Sequence, residues 1–143
     1  MITNPTTTIT QLLNAHNAVR ARHRLPPLKW NAKLAKYAKF YANKRRGDCA
    51  LVHSDSNYGE NIFWGKGNGW KPADAVAAWA AQEAYYNYKS NTCMAGKDCL
   101  HYTQVVWRST QSVGCAKIKC GNGDTHVVCE YYPHGNTIGQ RPY

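Results

Sequence analysis

Six cysteines, at positions 49, 93, 99, 115, 120 and 129, constrain this chain more than any other feature. No two of them have the C-x-x-C spacing of a zinc ribbon or a thiol oxidoreductase. An even number without metal spacing reads as three disulfides formed in an oxidising compartment. Six cysteines allow fifteen pairings, and the residues alone do not choose among them. All six follow residue 48, so the first third of the chain must be held by packing.

A chain of 143 residues is the size of one domain, read here as spanning 1–143 with a flexible lead over 1–8 and a tail over 133–143. Such a length buries roughly 70% of its unfolded surface, enough for a true core. Five Trp and ten Tyr argue against disorder. The net charge of +10 favours acidic partners such as wall polyanions or anionic membrane surfaces. Nucleic acid is excluded as a partner: the one basic cluster, Lys44-Arg45-Arg46, falls at a predicted helix end, where cations suit the dipole. No apolar run is long enough to span a membrane, and no Asn-x-Ser/Thr sequon occurs. With Met1 placed directly before a polar Thr-rich stretch, the sequence reads as the mature form of an exported protein.

Ile9, Leu12, Leu13, His16 and Val19 recur at helical spacing and mark a first amphipathic helix, ending before Pro26-Pro27. His16 on that face is expected to be a hydrogen-bonded core residue rather than a ligand. Asn31 is the expected N-cap of a second helix with a buried stripe of Leu34, Ala35, Ala38 and Tyr41, stopped near Gly47. A short strand is predicted near 61–64. A third helix opens at Pro72 with Asp74 beside it, and places Val76, Trp79, Ala80 and Glu83 on its inner face. A short helix over 102–108 precedes two strands, 113–119 and 126–132, joined by the hairpin signal Gly121-Asn122-Gly123-Asp124. Helices first and strands last give an α+β domain.

The segment His101-Tyr102-Thr103-Gln104-Val105-Val106-Trp107 resembles the principal signature of the CAP superfamily. The run from Cys129 to Asn136 resembles its second signature. Gly59-Glu60-Asn61-Ile62, Trp79-x-x-x-Glu83, the cysteine placement and the ending Gly139-Gln140-Arg141-Pro142-Tyr143 resemble the plant pathogenesis-related class 1 branch. The resemblance implies an α-β-α sandwich with a small antiparallel sheet between helical layers. It also implies the pairs Cys49–Cys120, Cys93–Cys99 and Cys115–Cys129, the first of which closes a long loop worth about 4 kcal/mol on chain-entropy reasoning.

The same resemblance puts a cleft tetrad on His53, Glu60, Glu83 and His101. Two imidazoles and two carboxylates could hold zinc or another divalent metal, or run acid–base chemistry. No cofactor is required by this reading. A metal-dependent hydrolase is the alternative, disfavoured because the two His are far apart in sequence and form no local ligand pair. Family likeness further implies sterol or lipid binding at a loop carrying Tyr85, Tyr86, Tyr88 and Met94. It implies as well release of a signalling peptide by a processing protease cutting between Tyr132 and Pro133. Glu130 departs from that pattern, which usually has Asn. The expected protein is a monomeric, extracellular, apoplastic plant defence protein with antimicrobial action.

Overall fold

The computed structural model describes residues 5–143; the first half of the expected lead, 1–4, lies outside the described residues. From Pro5 onward the Thr-rich stretch is already helical. Helix α1 spans Pro5–Ala21 and is followed by a two-residue strand β1 (Lys29–Trp30), α2 (Ala32–Lys44), β2 (Gly59–Gly65) and α3 (Pro72–Ala80). A 3₁₀ turn over Ala81–Tyr85 leads into a small hairpin, β3 (Tyr86–Asn87) and β4 (Thr92–Cys93). Helix α4 (Leu100–Val105), β5 (Ser112–Lys119) and β6 (Thr125–Tyr132) complete the chain's regular structure.

The main sheet has the order β1-β5-β6-β2, antiparallel except for the parallel β1–β5 pair. Strand alternation sorts its side chains onto two layers. Val127, Cys129 and Tyr131 face α1, α3 and α4, packing with Leu12, Val19, Trp79, Tyr102 and Val105. Val128, Ile62 and Ile118 face the opposite way, against Ala38, Tyr41 and Ala42 of α2. The result is the α-β-α sandwich the resemblance implies. Gly114 makes the second layer tight: a Cβ there would stand 2.2 Å from the Ala35 nitrogen and 2.5 Å from the Asn31 oxygen, so α2 rests directly on the β5 backbone.

Local signals explain the element ends. The Asn31 side chain accepts from Lys33 N (2.9 Å) and Leu34 N (3.1 Å), capping α2. The Asp74 carboxylate accepts from Lys71 N (2.7 Å) at the start of α3. The β5–β6 turn closes through Gly123 N to Cys120 O, 2.9 Å, at a glycine with φ of 93°. All three disulfides form as Cys49–Cys120, Cys93–Cys99 and Cys115–Cys129.

The cysteine-free first third is fastened by two buried polar residues. His16, wholly buried, donates from Nδ1 to Leu12 O (2.8 Å) and accepts at Nε2 from the Tyr131 hydroxyl (2.6 Å). Burial drives its pKa down to about 4, so it stays neutral. The buried Arg20 guanidinium donates to Pro26 O (2.8 Å), Val105 O (3.0 Å) and Trp107 O (2.8 Å), tying α1 to the carbonyls that follow α4.

Candidate functional site

A cavity of about 580 Å³ opens beside the start of β2, lined by residues that include His53, Ser54, Glu60, His101, Gln104 and His134. Gly59 shapes its floor: a Cβ there would meet Gln104 Oε1 at 2.1 Å, so only glycine lets that amide reach across to Gly135 N (3.0 Å).

Glu60 is the centre of the cleft's charge. It accepts from His53 Nδ1 (2.9 Å), Ser54 N (2.8 Å) and the Ser54 hydroxyl. Burial alone would raise this carboxyl, but the hydrogen bonds from His53, Glu130 and Ser54 outweigh it and hold the group well below the usual carboxylate range. The bond to Glu60 in turn raises the His53 imidazole.

Glu130 is a functional neighbour that the sequence reading missed. It stands directly across from Glu60 in the β2–β6 register and beside Gly114 in the β5–β6 register. Fully buried, it has no donor for either carboxylate oxygen while ionised. Burial and the adjacent Glu60 charge therefore push it far up, and the protonated acid donates to Glu60. The pair is a carboxylic acid supporting a carboxylate. Only the strand register could have shown it, since 60 and 130 are unrelated in sequence.

His101, at the start of α4, donates its backbone N–H (3.0 Å) and its Nδ1–H (3.2 Å) to the side-chain oxygen of Gln82. Asp98 Oδ2 also lies 3.3 Å from Nδ1. Burial lowers this imidazole, with Asp98 opposing the shift. His101 is thus a neutral ring with Nδ1 engaged and Nε2 left as its acceptor.

Glu83 is not part of the cleft, contrary to the expected tetrad. Its carboxylate pairs with Arg22 (3.4 Å) and His23 (3.6 Å) of the α1 end. Helix α3 stops at Ala80 and the chain tightens into the 3₁₀ turn. The 3.6-residue period ends there, and it is Gln82 that reaches His101 while Glu83 turns to Arg22 and His23. The cleft therefore brings together His53, Glu60 and His101, with Gln82 bonded to the backbone N–H and Nδ1 of His101. Among the described residues no three His, Cys, Asp or Glu side chains are placed to hold a metal ion. The expected zinc site does not fit the donors present, because Glu83 is paired with Arg22 and His23 and Glu60 is committed to His53 and Ser54.

The aromatic loop is separate from the cleft and shares none of its lining residues. Tyr85, Tyr86, Tyr88 and Met94 all line a second depression of about 590 Å³. Tyr86 packs inward against Tyr102 and bonds Asn91 Oδ1 through its hydroxyl (2.8 Å). Tyr85 carries the Lys97 ammonium over its ring. Tyr88 and Met94 keep 48% and 55% of their surface exposed.

The tail is docked rather than loose. The Tyr143 ring stacks between His23 (4.6 Å) and Tyr88 (5.3 Å). Arg141 donates to Tyr88 O (3.0 Å) and Lys89 O (2.8 Å), and Pro142 O accepts from Arg108 N (2.8 Å). Tyr132 ends β6, with its carbonyl accepting from Gln111 N at 3.0 Å.

Sheet, flanking helices, disulfides and cleft define a cysteine-rich secretory protein fold, and the model of the cysteine-rich secretory protein (CAP) family matches residues 13–131: the chain belongs to that family. Within it, the chain is a pathogenesis-related class 1 defence protein by likeness. It is 54% identical over 134 residues to the pathogenesis-related protein PR-1 of Medicago truncatula, covering 93% of this chain and 78% of that one. It is 49% identical over 131 residues to pathogenesis-related protein 1C of Nicotiana tabacum, covering 92% and 78%. Among solved structures, the venom allergen-like protein 4 of Schistosoma mansoni superposes with a TM-score of 0.78 at 28% identity, covering 94% of this chain and 92% of that one.

Proposed function

We propose that this defence protein acts in the apoplast by sequestering a sterol or a related flat lipid at the β3–β4 loop, with no chemical step. The observation that supports this most is the pairing of exposed Tyr88 and Met94 at the rim of the loop's depression. Exposed apolar surface of this kind suits an apolar ligand. The hairpin is pre-organised for it: Cys93–Cys99 pins its base, and Met94 N donates to Tyr85 O at 2.7 Å. The +10 charge concentrates the monomer at anionic walls and membrane surfaces, where such lipids are met. Saturation binding of labelled sterol to the wild type and to Met94→Asp tests the reading. Saturable binding that the variant loses is expected; no saturable binding to the wild type would sink it.

A second role is supported by the tail. Residues Pro133–Tyr143 serve as the precursor of a signalling peptide, cut by a processing protease between Tyr132 and Pro133. Because the scissile carbonyl is held by Gln111 N, cleavage requires the end of β6 to open first. A synthetic Pro133–Tyr143 peptide is expected to signal without the domain, and an inert peptide would remove this role.

A further inference from the structure

We propose that Gln82 is the residue that keeps divalent metal out of this cleft, and that a carboxylate at position 82 converts the same cleft into a zinc site. The donors present explain the first half. Glu60 Oε1 is already an acceptor for His53 Nδ1 and Ser54 N, and Oε2 for the Ser54 hydroxyl. His53 and His101 each have Nδ1 engaged, leaving only their Nε2 atoms as acceptors. A zinc ion normally takes three or more imidazole, thiolate or carboxylate ligands. A neutral amide adds no charge to that set and is a poor zinc ligand beside a carboxylate.

The second half follows from where Gln82 points. Its oxygen accepts both the backbone and the imidazole N–H of His101, so it stands directly against a cleft histidine, whereas Glu83, one residue later, is turned to Arg22 and His23. The oxygen assignment of the amide is fixed by the His101 backbone N–H, which can only donate. A carboxylate there would bring a negative charge to the site. It would act as a ligand itself or, through Nδ1, make His101 Nε2 a stronger one. The distinction between metal-holding and metal-free clefts then rests on which of two adjacent residues in a 3₁₀ turn carries the charge.

Zinc titration calorimetry on the full chain stripped with EDTA tests this, with metal content after dialysis as a second readout. Wild type and Glu83→Gln are expected to show only weak zinc binding that does not survive dialysis. Gln82→Glu is expected to take up one zinc per chain at least about 10-fold more tightly than wild type, and His101→Ala in that background to lose it. Gln82→Asp provides a second carboxylate should Gln82→Glu fail to fold by thermal melt. Stoichiometric zinc in the wild type at the affinity of Gln82→Glu overturns the proposal. So does a folded carboxylate variant with no gain.

Discussion

The cleft and the aromatic loop share helix α4 yet are held in opposite ways. Around Glu60 the polar groups converge: His53, Ser54 and the buried Glu130 acid all serve one carboxylate. Around Tyr88 rings stack on rings, and the tail's Tyr143 and Arg141 lie over them, with Arg141 also donating to the Tyr88 and Lys89 carbonyls. The cleft is rigid because removing any partner leaves a buried group unsatisfied. The loop is adaptable because stacked rings can separate at little cost and offer their faces to something else. A polar cluster of that kind suits a structural role, and a half-exposed rim of Tyr88 and Met94 suits a ligand.

Substitutions can break that contrast, and the largest effect belongs to the cleft. Glu60→Ala leaves the Glu130 acid, the Ser54 amide and His53 without an acceptor, and is expected to cost about 3 kcal/mol in urea unfolding. A loss below about 1 kcal/mol would mean the cluster relaxes as easily as the loop.

Glu130→Gln should behave in the opposite way, since an amide N–H can replace the acid's donor without a proton. The sign is set by linkage. Glu60 lies below the ordinary glutamate value of 4.5 when folded, so its stabilisation is present above that pH and fades as the medium becomes more acidic. Glu130 lies above 4.5 when folded, so its contribution is full below that pH and is lost as pH rises toward the folded value. Wild-type stability is therefore expected to peak in mildly acidic solution. The advantage of Glu130→Gln over wild type should be larger at alkaline than at mildly acidic pH; equal advantages in melts at both would contradict the shared proton.

On the loop side, Tyr143→Ala removes the ring stacked on Tyr88 and His23 and is expected to cost about 1 kcal/mol. The same change should speed proteolysis near Tyr132, read as the rate of appearance of the tail fragment. An unchanged rate would show that the docked tail does not guard that bond.

How much of this was legible in the sequence differs between the two regions. Asn31, Pro72 and the Gly121–Asp124 turn mark their elements through local chemistry, and each does so in the structure. His16 was legible as a core residue from its place on an apolar helical face. The family signatures carried the disulfide pairing and the positions of His53, Glu60 and His101. Glu83 was misplaced because the reading extended a 3.6-residue period past Ala80, where the chain had changed to three. Glu130 was noticed only as a departure from a pattern, because its partner is set by strand register across the sheet. The buried Arg20 was not singled out, because its carbonyl partners come from Val105 and Trp107, which no local pattern links to it. Strand β1 is too short, at two residues, to have a period at all.

The most direct test of the division between a ligand-binding loop and a self-satisfied cleft is labelled-sterol binding in EDTA, measured in parallel on wild type, Met94→Asp and Glu60→Gln. The account predicts saturable binding to the wild type and to folded Glu60→Gln, and its loss in Met94→Asp. Binding that survives in Met94→Asp but disappears in folded Glu60→Gln would place the ligand in the cleft and contradict the account.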